Sequence, residues 1–406
     1  MYRVAITGIG IISSLGNDID TVGESLRLGK SGIAADEKRV GLGFRSPLTG
    51  IIRGFDPRDF LAKKYLKSMP DFAAQAYAAS LEALRISGLG QNEIQSDQTG
   101  LVFGCDSSAL AAIEQVDLLK LHGETKSIGS GLVFRSMTST VTMNLNTLLK
   151  TRGACWSISS ACSSGGHAVG QAADLIMLGR QERIICGGAQ EINWESICGF
   201  DALGAFSTRI DKPEAASRPF DKDRDGLVPG GGAAALILER YDLAEKRGVP
   251  ILGELASYGF SSDGDSLSVP SRCGIASAMK MSLKNAHLKA CDIDYICAHA
   301  TSTPIGDAVE AAAILEVFGE HKPYVSSLKS MTGHELWMSG ASQVVYSVIM
   351  AMKGFIAPNI NFDNPDESSE RLNVVKETIH RPPRTVLCTS AGFGGTNSCL
   401  IVRFAL

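Results

Sequence analysis

Cys162 is the residue whose type and surroundings most directly indicate chemistry. It lies in a run of small residues from Ser159 to Gly166 (SSACSSGG), which leave its sulfur unobstructed. An apolar-periodic segment follows and predicts a helix. A sulfur at the start of a helix faces unpaired N–H groups and the positive end of the helix dipole, which favour the thiolate. The sequence therefore predicts a nucleophile, with a buried structural cysteine as the alternative.

Two histidines occupy positions that are typical of an active site. His299 follows a predicted strand at 295–297, and His334 comes after another at 324–327; a predicted helix lies beyond each. Ligands of α/β proteins bind at such strand ends. A cysteine with two histidines lacks the four organised ligands of a structural zinc site. The combination favours thioester chemistry, and no metal site is predicted.

The elements that position these residues alternate along the chain. Short apolar runs that suit buried strands are separated by longer helical patterns, at 71–87, 166–178 and 303–318 among others. This alternation predicts an α/β fold. The weakest break is a charged segment at 239–250, where we divide the chain into two halves.

Composition excludes several classes of protein. The chain has 406 residues, 44% of them hydrophobic, and a formal net charge of -4, which argues against a nucleic-acid partner. Its ten cysteines show no paired spacing, which indicates a reducing compartment. The first residues lack the features of a signal peptide, and no apolar segment is long enough to cross a bilayer. We expect a cytoplasmic protein without membrane insertion.

Two partial motifs fail on inspection. The segment Gly8–Ser13 follows a strand but lacks the third glycine of a dinucleotide-binding fingerprint, so it predicts a structural tight turn. The segment Asp221–Gly226 opens like a calcium loop, yet its twelfth position is Gly232 instead of glutamate. We expect a charged surface turn there, or one that orders a neighbouring site.

Four motifs in order carry a family resemblance. They are SSAC ending at Cys162, HATSTP from His299, KSMTGH from Lys329, and GFGGTN around Phe393. The chain resembles the elongating β-ketoacyl-acyl-carrier-protein synthases, condensing enzymes of the thiolase superfamily, over its whole length, and the bacterial type I enzymes most closely. The resemblance implies a homodimer with a thiolase-like fold, in which two similar α/β halves, 1–245 and 246–406, stack as five layers αβαβα.

The resemblance also implies a role for each reactive group. Cys162 takes an acyl group from the phosphopantetheine thiol of an acyl carrier protein, while the N–H groups of Cys162 and Phe393 hold the thioester oxyanion. Malonyl-carrier protein then loses CO₂, and its enolate attacks the acyl group. His299 and His334 present N–H groups to the malonyl thioester oxygen. No free cofactor is implied, because the substrates carry the phosphopantetheine.

Further residues match supporting positions of the family. Lys329 and Glu310 match positions near the histidines, where an ion pair could hold the orientation of the rings. Thr301 and Thr303 match the residues that bind the pantetheine arm, and Phe393 matches a gate beside the nucleophile.

The acidic carrier protein calls for a basic docking patch. Lys63, Lys64 and Lys67 match the region that the family uses, with Lys126 a weaker candidate.

Departures from the family pattern concern acyl-chain preference and a bound ion. Ala300 replaces a glycine, Trp337 stands where small residues are common, and Ala391 stands where an aromatic often precedes the gate. The residues that match a structural monovalent-cation site in some members lack its carboxylate, so that ion is not expected: Cys297, Gln343, Cys388 and Thr389.

The leading hypothesis is a decarboxylating condensing enzyme of fatty-acid elongation, an acyltransferase. Two alternatives stay open, namely a ketosynthase for a polyene or other secondary product and a catalytically silent chain-length partner. The second conflicts with the presence of Cys162 and both histidines. Thiolase is disfavoured, since thiolases use a second late cysteine instead of the two-histidine pattern.

Overall fold

The computed structural model describes residues 1–404; residues 405 and 406, at the end of the predicted second half, lie outside it. The strands are β1 (Val4–Ile12), β2 (Ile33–Ala35), β3 (Leu48–Gly50), β4 (Thr99–Gly104), β5 (Cys155–Ile158), β6 (Arg183–Gln190), β7 (Gly232–Arg240), β8 (Gly253–Ser262), β9 (Tyr295–Cys297), β10 (Tyr324–Ser326), β11 (Asn373–Val374), β12 (Thr385–Gly392) and β13 (Thr396–Arg403). The helices are α1 (Ile19–Arg27), α2 (Glu37–Gly41), α3 (Asp71–Ser87), α4 (Gln91–Ile94), α5 (Ala109–His122), α6 (Leu132–Arg135), α7 (Thr140–Leu149), α8 (Ser164–Met177), α9 (Trp194–Ala202), α10 (Tyr241–Arg247), α11 (Arg272–Asn285), α12 (Pro304–Phe318), α13 (Lys329–Thr332) and α14 (Ala341–Lys353).

The main sheet repeats one strand arrangement in each half of the chain. Its order is β11-β10-β9-β12-β13-β8-β1-β7-β6-β4-β5. In the first half β7 is antiparallel to both β1 and β6, and β4 is parallel to both β6 and β5. The second half repeats this pattern. Its strand β13 is antiparallel to both β8 and β12, and β9 is parallel to both β12 and β10. Only a short pairing of β1 with β8 joins the two halves of the sheet.

Helices separate and cover the two halves of the sheet. Helices α8 and α14 contact strands of both halves and form the middle layer. The outer face of the first half is covered by α3 and α7, and that of the second by α11 and α12. The result is the predicted five-layer αβαβα stack of a thiolase-like fold. Both helices of the middle layer begin shortly after candidate site residues in the sequence.

Several predicted elements agree with the structure, and one turn does not. Helix α3 has the predicted bounds, and α8 and α12 differ from prediction by one or two residues. Gly8 and Gly10, predicted to form a tight turn, lie inside strand β1. A Cβ atom at Gly8 or Gly10 would overlap the carbonyl oxygen of Ala83 or Ala79 in α3. The glycines are there because a helix packs against the strand, and not because the chain turns.

The predicted division at 245/246 falls within α10. It stays a prediction, because the repeated strand order indicates two halves without fixing where one ends. Within residues 1–404, no helix combines the length and the apolar composition that a membrane crossing requires.

Candidate active site

Cys162 lies where a strand turns sharply into a buried helix. Strand β5 ends at Ile158, residues Ala161–Ser163 form a 3₁₀ turn, and α8 begins at Ser164. Ala161 has a φ of 45°, a left-handed conformation that is uncommon for a residue with a Cβ atom. The hydroxyl of Ser164 fixes this turn, since it accepts the N–H of Ser160 at 2.8 Å and donates to the Ala161 carbonyl at 2.7 Å. The turn presents Cys162 at the start of the helix, as predicted.

The thiol of Cys162 is neutral at rest. Burial raises its pKa to about 12; the Lys329 ammonium opposes that rise and the Asp106 carboxylate adds to it. The N–H groups of Phe393 and of Cys162 itself also lower the pKa. The N–H group of Cys162 at the helix start favours the thiolate, as predicted, but desolvation of the sulfur outweighs this effect and keeps the resting thiol protonated. The sulfur of Cys162 must therefore lose its proton when it acts as a nucleophile.

The two histidine rings lie edge to face beside the nucleophile. Their centroids are 5.1 Å apart with an interplanar angle of 88°. Burial lowers the pKa of both rings well below the ordinary value, and the Lys329 ammonium lowers both further. Each ring is therefore neutral and carries one N–H group. The Nδ1 atoms are buried and make no hydrogen bond within the described residues.

Glu310 holds the backbone of His299 and not its ring. The carboxylate accepts the N–H groups of His299 at 2.9 Å and Ala300 at 2.6 Å, and the Thr389 hydroxyl at 2.6 Å. None of the ion pairs within residues 1–404 joins it to Lys329 within 4.0 Å. The suggested direct ion pair is absent, and Glu310 orients the ring through the peptide backbone. The sequence did not indicate Thr389 as a partner.

Lys329 places a buried charge beneath the reactive groups. It is only 3% exposed, and burial lowers the pKa of its ammonium. The thiolate form of Cys297 and the carboxylates of Glu310 and Glu335 raise that pKa. The sequence did not single out Glu335, which is buried and accepts the hydroxyls of Ser342 and Tyr346, both at 2.6 Å. Lys329 thus acts on the histidines and Cys162 by charge.

Thr301 and Thr303 form a hydroxyl pair at the cavity wall. Their Oγ1 atoms are 3.1 Å apart. The N–H of Thr301 donates to buried Asp307 at 2.9 Å, and burial raises the pKa of that carboxyl to about 7. Asp307 precedes Glu310 by three residues in the sequence. That three-residue spacing is the signal that could have identified both carboxylates, since it puts them on one face of α12.

The segment Asp221–Gly226 orders this wall, the second of its two predicted roles. The Arg224 guanidinium donates to the carbonyls of Thr303 at 3.2 Å and Pro304 at 2.9 Å. Asp221 is fully buried and pairs with Arg218 at 2.8 Å. The turn therefore supports the wall through its buried residues, while Lys222, Asp223 and Asp225 are exposed, as expected of a charged surface turn.

Phe393 stands at the mouth of the site, in the turn between β12 and β13. Its side chain is 40% exposed and stacks on Phe200 with ring centroids 5.9 Å apart. Phe200 also contacts Phe206, at 6.4 Å, and Trp337, at 6.3 Å. We call Phe200, Phe206, Trp337 and Phe393 the aromatic cluster.

One cavity of about 350 Å³ gathers most of the predicted site. Its lining includes the following predicted residues: Cys162, His299, Ala300, Thr301, Thr303, Glu310, His334, Ala391 and Phe393. Lys329 and Trp337 are not among the lining residues. The cavity joins a nucleophile, two neutral N–H donors and a hydroxyl pair in a largely apolar space, which suits acyl transfer.

The three predicted docking lysines lie outside this cavity. Lys63, Lys64 and Lys67 are all exposed, on the segment that precedes α3. The ammonium of Lys64 lies 4.8 Å from the ring centroid of Tyr65. Their exposure leaves the three charges available to a partner.

Family models match both halves of the chain. The N-terminal domain of β-ketoacyl synthase matches residues 1–244, and the C-terminal domain matches residues 252–363. The chain belongs to the β-ketoacyl synthase family. It is 41% identical to 3-oxoacyl-[acyl-carrier-protein] synthase 1 of Haemophilus influenzae and 39% identical to that of Escherichia coli K12, with 99% of each chain covered.

Solved structures of β-ketoacyl synthases share the fold. One from Burkholderia phymatum STM815 superposes with a TM-score of 0.95 at 32% identity, with both chains fully covered. A second, described as a type II PKS acyl-carrier protein in complex with its ketosynthase, has a TM-score of 0.91 at 28% identity, again over both full chains. The predictions of the family, the fold and an acyl-transferring condensing enzyme are thereby confirmed.

The site of this β-ketoacyl synthase contains no candidate metal centre. Within residues 1–404 no group of three or more histidine, cysteine, aspartate or glutamate side chains could hold a metal ion. The positions of the family cation site are filled by neutral groups; Gln343 donates to the carbonyls of Cys297 and Ala298, both at 2.9 Å.

Proposed function

We propose that this chain condenses an acyl group, held on Cys162, with malonyl-acyl-carrier protein to give 3-oxoacyl-acyl-carrier protein and CO₂ in fatty-acid elongation. The observation that carries the proposal is one cavity that brings Cys162 together with two neutral histidines. Because Cys162, His299 and His334 line the same space, the geometry argues against a catalytically silent chain-length partner.

The first half-reaction moves the acyl group to Cys162. The sulfur attacks the thioester carbonyl, a new S–C bond forms, and the bond to the phosphopantetheine sulfur breaks. The proton of Cys162 leaves with the phosphopantetheine thiol. The N–H groups of Cys162 and Phe393, which already lower the pKa of the thiol, stabilise the oxyanion between these steps.

The second half-reaction forms the carbon–carbon bond. The malonyl carboxylate leaves as CO₂, and its bonding electrons form an enolate whose oxygen accepts N–H groups from His299 and His334. The enolate carbon attacks the acyl carbonyl, the bond between that carbonyl carbon and the sulfur of Cys162 breaks, and the sulfur takes up a proton from solvent. Neutral rings suit this role, since a donor that keeps its proton stabilises the enolate without quenching it. No free cofactor takes part.

Mass spectrometry of the acylated protein tests both half-reactions. After incubation with acyl-carrier protein, the acyl adduct is expected on Cys162, and an adduct on any other residue would contradict the proposal. His299→Ala is expected to keep this acylation and to lose decarboxylation of malonyl-carrier protein. Condensation at the normal rate in His299→Ala would exclude the role of that ring.

The carrier protein docks on the patch formed by Lys63, Lys64 and Lys67. Their exposure and like charge support this site, since carrier proteins are acidic. The double variant Lys64→Glu, Lys67→Glu is expected to raise the KM for acyl-carrier protein about tenfold. The rate of alkylation of Cys162 by iodoacetamide is the control, because it needs no carrier protein. An unchanged KM would place the docking site elsewhere.

A homodimer in the cytoplasm completes the proposal. Strand β5 is an edge strand with Trp156 41% exposed, and Phe134 and Met137 are 49% and 43% exposed. A second copy paired along β5 would cover such an edge symmetrically. All ten cysteines are free thiols, which supports a reducing compartment. Light scattering should give the mass of two chains, and a Trp156→Asp variant should be monomeric; a monomeric wild type would contradict the dimer.

A further inference from the structure

The two N–H groups that hold the thioester oxyanion in the proposed reaction lie on separate turns of the chain. That of Cys162 belongs to residues 160–164, which we call the nucleophile turn. That of Phe393 belongs to residues 392–396, which we call the gate turn. Both N–H groups act on the Cys162 sulfur and lower the pKa of its thiol. Because an oxyanion hole needs its donors in fixed positions, the two turns must be held together.

The gate turn has little rigidity of its own. It connects β12 to β13, and Phe393 is followed by Gly394 and Gly395, with φ values of 77° and 75°. Two successive glycines leave the backbone many alternative conformations. On the outer side of the turn, the N–H of Gly394 donates to the carbonyl of the exposed Leu267 at 2.8 Å. The position of the Phe393 N–H relative to Cys162 therefore depends on contacts at the inner side.

The hydroxyl of Thr396 makes these inner contacts. It donates to the Ser160 carbonyl at 3.1 Å and accepts the Ser160 hydroxyl at 3.0 Å. The hydroxyl of Ser163 also contacts it, and donates to the same Ser160 carbonyl at 2.7 Å. Within residues 1–404, every hydrogen bond that joins an oxygen or nitrogen atom of one turn to one of the other involves the Thr396 hydroxyl.

The backbones of the two turns are in direct contact beside this hydroxyl. Thr396 faces Gly392 in the last residue pair of the β12–β13 hairpin. A Cβ atom at Gly392 would lie 2.7 Å from the Ser160 carbonyl oxygen and 3.1 Å from the Cys162 nitrogen. The gate turn thus rests on the nucleophile turn at a position that has no room for a side chain, and Thr396 supplies the polar link.

We propose that Thr396 is a positioning residue that fixes the N–H of Phe393 relative to the N–H of Cys162. This inference rests on the proposed function. Thr396 does not line the cavity, so it acts through the two turns. Loss of its hydroxyl slows both steps in which an oxyanion forms on the acyl carbonyl, namely transfer to Cys162 and attack by the enolate. Decarboxylation stays unchanged, because the histidines hold the enolate oxygen.

Removal of the hydroxyl without a change of shape tests the inference. In Thr396→Val, the rate of acyl transfer from octanoyl-carrier protein to Cys162, followed by mass spectrometry, is expected to fall on the order of 10²-fold, the effect of losing one oxyanion donor. The KM for the carrier protein should stay the same, because docking is not altered. Thr396→Ser keeps the hydroxyl and should retain most of the wild-type rate. Thr385→Val, at the opposite end of the same hairpin, is the matched control and should react like the wild type.

Alkylation of Cys162 separates positioning of the donors from a general disturbance of the site. The thiolate displaces iodide from iodoacetamide without forming an oxyanion, so this rate should fall far less than acyl transfer in Thr396→Val. Equal loss of the two rates would overturn the proposal, as would acyl transfer at the wild-type rate in Thr396→Val or an equally large loss in Thr396→Ser. Thr396→Ala removes the hydroxyl without added volume and serves the same test if Thr396→Val does not fold. No acyl adduct on folded wild type would instead refute the proposed function.

Discussion

The two sides of Cys162 differ in chemical character, since one is polar and the other is apolar. On one side, His299 and His334 lie over the buried charges of Lys329 and Glu310. On the other side, Phe206, Trp337 and their apolar neighbours pack around the same sulfur. The polar side has the groups for bond making and breaking, and the apolar side has the shape that an acyl chain must fit. Chemistry and substrate choice can thus be altered separately.

The largest effect should come from Cys162 itself, because both sides act through its sulfur. Cys162→Ala is expected to lower the rate of condensation at least about 10³-fold, since no thioester can form on the protein. The measurement is formation of 3-oxoacyl-carrier protein. Cys198→Ala is the control, because Cys198 is an exposed free thiol of α9 outside the cavity. Comparable loss in Cys198→Ala would show that this assay does not report on the nucleophile.

Removal of the Glu310 carboxylate should damage the polar side alone. Glu310→Ala leaves the N–H groups of His299 and Ala300 without an acceptor in a buried place, so the free energy of unfolding should fall by about 3 kcal/mol. A shift of the ring should also lower the rate of decarboxylation on the order of 10²-fold. Urea unfolding and a CO₂-release assay measure the two effects.

Glu316→Ala is the matched control on the same helix. Glu316 forms an exposed ion pair with Lys280 at 2.7 Å, so its loss should lower the free energy of unfolding far less than the loss of Glu310 does. If Glu310→Ala behaves like Glu316→Ala, the carboxylate does not position His299.

The pH dependence of the Cys162 thiol and of the two histidines tests the polar side of the site further. The pKa of Cys162 is raised to about 12, so the thiolate fraction, and with it the rate of alkylation by iodoacetamide, should rise about tenfold per pH unit from 7 to 10 without a plateau. A plateau for Cys162 near neutral pH would show that the resting protein holds a thiolate.

The reactivity of Cys162 should change with pH, whereas the two histidines should not gain a proton when the protein is acidified. Because burial and Lys329 hold the pKa of both rings well below the usual value, they stay neutral as the pH falls through about 6.5. Decarboxylation should therefore continue below that pH without an inflection from a histidine. The unfolded chain binds those protons while the folded chain does not, so this contribution to stability decreases as the pH falls below about 6.5.

Local motifs predicted the reactive residues, and long-range packing determined what could not be predicted. Cys162, His299 and His334 were identified because residue type and a strand-to-helix position occur together in the sequence. Gly8 and Gly10 were misassigned because the cause of their small size is α3, some seventy residues later in the chain. The pKa of Cys162 could not be predicted for a similar reason, since desolvation depends on everything that covers the sulfur.

The two carboxylates of α12 show the same limit within one helix. Their spacing is visible in the sequence, yet a solvated face of a helix has the same spacing. Only the fold shows that Asp307 and Glu310 point inward, towards the N–H groups of Thr301 and His299. The spacing of the two carboxylates could be read from the sequence, but neither their burial nor their hydrogen-bond partners could.

The smallest effect should come from the apolar side, where each of many weak contacts contributes only a little. Phe200→Leu keeps an apolar side chain but removes the ring that stacks on Phe393 and contacts Trp337, so the free energy of unfolding should fall by about 1 kcal/mol. The rate of malonyl decarboxylation should stay within about twofold, because no charge or N–H donor moves. Acyl transfer to Cys162 should change by more than decarboxylation does. If both rates fell equally, the aromatic cluster would also support the histidines, and the separation between a polar side for chemistry and an apolar side for selection would not hold.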